Sequence, residues 1–303
     1  YFQQANQVMV TTDERNFFIE GNGRHVFGVL SGYPCCTANM HQGWPKLVQN
    51  LWYATADNGL AALVYGASEV KAKVADGQAV HFVEETDYPF DDKIRITYET
   101  DEPVKFALHL RIPGWCKKPV IKINGKPRNE SATSNIMVIK RTWKKRDVVE
   151  LEFPMEIQLS RWYENSVGIE HGPLIYALKV NENWREINEE GYSHSYYEVT
   201  PLQPWNYGLY MQGLDKDSFK IAHQTMPNDM PWNLANVPIQ IKTKAVRMPM
   251  WKLYNHSTGP LPSTAWPTRS YEDLGEEITL VPYGCTTLRI SQFPVVDKTK
   301  HEE

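Results

Sequence analysis

The sequence is poor in cysteine, with four among 303 residues, at positions 35, 36, 116 and 285. It has no Cys-x-x-Cys and no His-x-x-x-His pair, so it lacks the spacing of a self-contained zinc site. It also lacks blocks of like charge. Its 32 Lys and Arg and 36 Asp and Glu leave a formal charge of −4, which argues against a nucleic-acid surface. No run approaches the roughly 18 to 20 apolar residues that cross a bilayer, and no charged-then-apolar leader opens the chain. A soluble chain whose export signal has been removed is therefore expected. Fixed-period repeats and low-complexity tracts are missing too.

What is present is a hydrophobic fraction of 42%, enough for two domains that each bury a core. The ten Trp and 16 Tyr are a high aromatic load. Such rings fill β cores and also stack on the apolar faces of sugars. The opening Tyr1-Phe2-Gln3-Gln4-Ala5-Asn6-Gln7 reads as the middle of a segment, which predicts a piece of a longer protein. The plainer reading of Tyr1-Phe2-Gln3 is the remnant of a cleaved tag.

From Asn39 to Leu51 the residues Trp44, Leu47, Val48 and Leu51 recur at near-helical spacing, predicting one helix capped by Asn39 or Thr37. After Gly59 the pattern changes to alternation, as in Lys93-Ile94-Arg95-Ile96-Thr97-Tyr98 and in residues 105–112. Further strands follow at 120–123, 136–139 and 148–153, with a turn at Asn124-Gly125. Short strands between turns describe a sandwich. A second set lies at 168–170, 174–178, 239–242, 278–281 and 287–290, with a boundary near residue 160. Residues 183–236 are rich in Asn, Pro, Trp and Tyr without periodicity, predicting an irregular insert of the kind that often carries binding.

The sharpest chemical signal is the adjacent pair Cys35 and Cys36. Neighbouring cysteines rarely bond to each other, because the small ring strains its peptide bond. Three readings stay open: partners elsewhere, two buried thiols, or two thiolates serving a metal or a nucleophilic attack. His41, six residues after Cys35, could be a ligand, a sugar contact or a structural hydrogen-bonder. The acids Glu20, Glu170 and Glu198 sit beside aromatic or turn residues, where ordinary surface carboxylates would look the same.

The stretch Gly32-Tyr33-Pro34-Cys35-Cys36-Thr37-Ala38-Asn39 resembles the β-L-arabinofuranosidase family, glycoside hydrolase family 127. The likeness continues in Phe106 to Cys116, with its Arg111-Ile112-Pro113-Gly114-Trp115, and in Asn124-Gly125 followed by Arg141-Thr142-Trp143. It goes on through Glu170-His171-Gly172-Pro173, Pro204-Trp205-Asn206-Tyr207, residues 251–255 and residues 280–284. The resemblance implies a mainly β chain: two β-sandwich domains preceded by the last helical segment of an (α/α)6 barrel. Residues 1–55 would be the end of that catalytic barrel, 56–160 the first sandwich, and 161–303 the second, with the insert at about 183–236.

By the same resemblance Cys35 is the nucleophile and Cys35 and Cys36 bind zinc; Asn39, which the family pattern keeps, and His41, by its place six residues after Cys35, are the expected substrate contacts. The family's other two ligands come from an upstream Glu-x-Cys, which this sequence does not contain. Its acid/base glutamate also lies upstream, so the chain alone would be inactive. Family members often read Cys-Cys-Pro-Pro-Asn, whereas this sequence has Thr37-Ala38 between the pair and Asn39. The function expected is retaining hydrolysis of plant-derived oligosaccharide or polysaccharide, by a protein exported to the periplasm or cell surface of a gut bacterium. The rival from another class is a non-catalytic carbohydrate-binding or structural β-sandwich protein. Cys35 discriminates them, since an enzyme needs it accessible and a binding module would bury both thiols.

Overall fold

The computed structural model describes residues 4–13, 26–28, 34–128, 134–188, 194–211, 214–263 and 275–297. The chain is mostly β and forms two compact units, one of His41–Glu156 and one that joins Tyr1–Met40 to Ile157–Glu303. The discontinuous unit begins with β1 (Asn6–Gln7) and α1 (Pro34–Met40). No helix among the described residues is long and apolar enough to cross a membrane.

The single helix expected over Asn39–Leu51 is instead two short ones, α1 and then α2 (Gly43–Gln49). Pro45 accounts for the break. It has no N–H to give the His41 carbonyl, yet it fits the first turn of a new helix, where that donor has no intrahelical partner. Neither predicted cap acts at α2: the N-cap is Gln42, without a side-chain hydrogen bond. Trp44, Leu47 and Val48 fall on the helix as predicted, but all three are exposed.

The His41–Glu156 unit is a sandwich. Its strands are β2 (Trp52–Ala54), β3 (Leu60–Ala62), β4 (Ser68–Val74), β5 (Gln78–Thr86), β6 (Lys93–Tyr98), β7 (Val104–Arg111), β8 (Val120–Ile123), β9 (Lys126–Pro127), β10 (Ile136–Trp143) and β11 (Val148–Glu152). One sheet runs β10-β7-β3-β2 and the other β4-β5-β6-β11-β8-β9. Alternation sorts the side chains: Ile94, Ile96 and Tyr98 point into the core while Lys93 and Arg95 stay exposed. Phe82 centres that core, with Tyr98, Phe106 and Trp143 edge-on at 5.1, 6.1 and 5.9 Å.

Two turns in this unit depend on backbone freedom or space. Asn124 and Gly125 both take positive φ, 51° and 75°, the pairing that a two-residue hairpin turn asks for. The strand across that turn is β9, while β10 crosses to the other sheet beside β7. At Gly59 a Cβ would lie 2.2 Å from the Ala107 carbonyl oxygen, so only glycine lets β3 enter beside β7.

The second unit continues with β12 (Ile157–Arg161), β13 (Val167–His171), β14 (Leu174–Leu178), β15 (Glu182–Ile187), β16 (Tyr196–Pro201), β17 (Tyr207–Tyr210), β18 (Lys220–His223), β19 (Ile239–Arg247), β20 (Leu253–Tyr254), β21 (Ser257–Thr258), β22 (Glu276–Pro282), β23 (Arg289–Ile290) and β24 (Val295–Val296). Its main sheet runs β12-β13-β14-β22-β19-β17-β24, with β18 also against β19. Among the described residues, the pairs β1–β23, β15–β16 and β20–β21 and isolated bridges such as Phe27 to Tyr197 supply the remaining β structure. The stretch 183–236 thus holds most of β15 together with β16, β17 and β18. Most of β15 is exposed on both faces, which leaves no alternation for a sequence reading to detect.

Candidate functional site

Cys35 lies on α1, in the first turn, and is exposed. Asn39 follows one turn later on the same helix, also exposed, and its Nδ2 donates to the Cys35 carbonyl oxygen at 2.6 Å. That bond ties the Asn39 side chain to its own helix. The side chain of Cys36 lies outside the described residues. His41 is exposed just past the end of α1, at the start of the His41–Glu156 unit.

The other two cysteines have a different chemistry. Cys116 and Cys285 are buried, and burial pushes both thiols up, Cys285 to about 12. The thiolate is the nucleophile and metal ligand, so neither is available near neutral pH. Cys285 also approaches the Pro231 carbonyl oxygen at 3.7 Å.

The acidic candidates divide as well. Glu20 lies outside the described residues. Glu170 is half-buried on β13. Glu198 is buried on β16, where desolvation opposes its charge but hydrogen bonds from the Thr12 hydroxyl and amide and from Arg185 prevail, holding its carboxyl below the usual range. A carboxylate saturated in this way is structural. Glu84 is an acid that the sequence reading passed over, although Val80, Phe82 and Glu84 alternate onto one face of β5. It is buried, and its carboxyl is pushed up to about 7 by desolvation, against one hydrogen bond from the Gly66 amide.

Among the described residues, no group of three or more His, Cys, Asp and Glu could hold a metal ion. Two cysteines on one helix have the donor chemistry of a zinc site but only half the usual number of ligands. The described residues therefore do not complete such a site. A cavity of about 430 Å³ opens in the discontinuous unit, lined by Tyr210, Phe219, Lys220, Lys242 and Glu277 among others. None of the residues expected at the site lies in its wall.

Residues 59–155 match the family model described as "Beta-L-arabinofuranosidase, GH127 middle domain". No curated protein matches the chain in sequence. Three solved structures resemble it in fold. A GH127 β-L-arabinofuranosidase from Geobacillus stearothermophilus T6 is 22% identical, with a TM-score of 0.59 over 87% of this chain and 37% of its own. A protein described as a glycoside hydrolase is 22% identical, with a TM-score of 0.62 over 95% of this chain and 44% of its own. A GH127 β-arabinofuranosidase is 19% identical, with a TM-score of 0.61 over 91% and 41%. The resemblance read from the sequence is thus borne out, by the family model over residues 59–155 and in fold over most of the chain. The chain spans less than half the length of each of these three proteins.

Proposed function

We propose, from the premise that residues 59–155 match a glycoside hydrolase family 127 middle domain, that this chain is part of a retaining glycosidase with Cys35 as its nucleophile. The observation that carries the reading is the contrast among the thiols. Cys35 is exposed, as the enzyme reading requires, whereas Cys116 and Cys285 are buried with raised pKa values. In this reading the segment that carries α1 and α2 belongs to the end of the catalytic barrel, and the β-sheets brace it.

The Cys35 sulfur, as thiolate, attacks the anomeric carbon and forms a carbon–sulfur bond. The glycosidic carbon–oxygen bond breaks, and its oxygen takes a proton from an acid outside this chain. Water then attacks the same carbon and gives its proton to that group, and the sulfur leaves as thiolate. This is the two-step course of retaining hydrolysis, with sulfur in place of the usual carboxylate. Cys35 and Cys36 would supply two ligands to zinc, which ionises a coordinated thiol near neutral pH, and further ligands would come from outside the chain. Asn39 and His41 would contact the sugar. The proposed substrate is a β-L-arabinofuranoside of a plant glycan, met in the periplasm or at the cell surface of a gut bacterium.

The test compares this chain with one extended upstream through the barrel, measuring zinc content and release of 4-nitrophenol from the β-L-arabinofuranoside. The extended protein should hold about one zinc and turn over. Its Cys35→Ala form should lose at least about a thousandfold in kcat, the scale for a removed nucleophile. An extended protein that turns over unchanged without Cys35 would remove the proposed nucleophile. One that neither holds zinc nor cleaves the sugar would favour the carbohydrate-binding reading.

A further inference from the structure

On the unit that carries β15 and β16, three aromatic rings meet at the surface. Trp184 stands edge-on to Phe27 at 5.1 Å and to Tyr197 at 5.9 Å. Phe27 keeps 50% of its surface exposed and Trp184 keeps 43%. The strand period places Glu182, Trp184 and Glu186 on one face of β15, and Tyr197 lies directly across from Glu186. The exposed indole is therefore flanked along its strand by two carboxylates.

Trp184 is also held in place. Its indole N–H donates to Glu182 Oε2 at 3.0 Å. Glu182 Oε1 in turn accepts the Thr287 and Leu288 amides at 3.1 and 2.9 Å. An indole fixed by a carboxylate that is itself fixed to backbone has given up its rotamer freedom before a ligand arrives, which is the usual route to affinity at an exposed site.

A pyranose or furanose ring has an apolar C–H face and a rim of hydroxyls. Indole and phenyl surfaces cover the first, while carboxylate oxygens accept from the second and a phenol both donates and accepts. Two carboxylates beside the rings also repel a carboxylated sugar. We propose that Phe27, Trp184, Tyr197 and Glu186 form a docking ledge for a neutral saccharide. The proposal rests on the glycan-cleaving reading, to which it adds a hold on the polymer apart from bond cleavage.

Affinity electrophoresis of this 303-residue chain tests it, in native gels cast with neutral arabinan, neutral hydroxyethyl cellulose, polygalacturonate, or no polymer. At least one neutral polymer should slow the chain twofold or more relative to the polymer-free gel, and polygalacturonate should not. Trp184→Ala and Glu186→Ala should each remove most of the retardation, with Trp184→Phe keeping part of it. Trp162→Ala, which removes another exposed indole (55%), should be slowed like the parent chain. Each variant is read against its own mobility in the polymer-free gel, because loss of the Glu186 charge shifts the band by itself; an unaltered far-ultraviolet circular dichroism spectrum reports an intact fold, and Glu186→Ala carries the comparison if Trp184→Ala does not fold.

The ledge is refuted if neither neutral polymer retards the chain, if Trp184→Ala and Glu186→Ala are retarded as strongly as the parent, or if polygalacturonate retards it equally. No bond is cleaved in the gel. A protein that fails to hydrolyse arabinofuranosides can still pass this test, and one that hydrolyses them can still fail it.

Discussion

Glu84 occupies an inward position of β5, where its neighbours two residues away on the same face are Phe82 and Thr86. Its Oε1 accepts the Gly66 amide at 2.9 Å, and its buried Oε2 has no hydrogen-bond partner among the described residues. Burying the charged form is unfavourable, so the folded state raises the carboxyl from 4.5 to about 7. The folded protein then binds this proton more tightly than the unfolded chain. The stability tied to Glu84 is complete below pH 4.5 and is lost as pH rises toward and through 7, by about 3 kcal/mol in all. Glu84→Gln keeps the acceptor for Gly66 and cannot ionise. Denaturant melts from pH 5 to 8 should show it gaining on the parent as pH rises, and parallel pH profiles would clear Glu84. The sequence reading passed over this position, although Glu84 shares a strand face with Val80 and Phe82. The exposure of Cys35 was not legible, because four thiols look alike in sequence until packing separates the buried Cys116 and Cys285 from Cys35 on α1.

At the scale of elements, alternation made β6, β7, β8, β10 and β11 of the His41–Glu156 sandwich readable, and the outer face of its larger sheet explains the register. Glu85, Arg95, Glu150 and Lys122 lie directly opposite one another across β5, β6, β11 and β8. Arg95 approaches Glu150 at 3.4 Å and Glu85 at 4.0 Å. A one-residue slip would move every core side chain of a strand to solvent, and this row of alternating charge disfavours that slip further. Each pair is exposed and worth at most about 1 kcal/mol. Arg95→Glu would set three carboxylates side by side, so it should cost about 1 kcal/mol at low salt, with roughly half recovered in 1 M NaCl by screening. Equal denaturation midpoints for variant and parent at low salt would dismiss the row as a register device. Elements that lack a one-sided environment were harder to read. β15 has no buried face to alternate against, and the break between α1 and α2 rests on one proline within an otherwise helical pattern.

At the scale of the whole molecule, the apolar cluster of the sandwich draws every member from Leu60 to Phe153. Both of its sheets close within residues 52–152. A core of that kind, with Tyr98, Phe106 and Trp143 each packed on Phe82, buries about 2 to 3 kcal/mol of transfer free energy per large side chain without help from elsewhere in the chain. That each strand set has its own hydrophobic alternation was legible. The grouping of Tyr1–Met40 with Ile157–Glu303 was not, since pairings such as β1 with β23 join residues more than 280 positions apart. The helix α2 buries none of its residues, whereas Leu51 is buried and its carbonyl accepts the Leu63 amide at 3.1 Å. Residues 50–156 should therefore unfold in one cooperative transition when produced alone, within about 0.5 kcal/mol of residues 41–156, the change expected on losing an unpacked surface element. Phe82→Ala in either piece should lower stability by about 3 to 5 kcal/mol. Calorimetry on the three proteins decides the matter. A broad, non-cooperative melt for residues 50–156 would mean that the sandwich needs the rest of the chain to fold, and a large loss on removing 41–49 would mean that the exposed stripe of Trp44, Leu47 and Val48 is packed in solution.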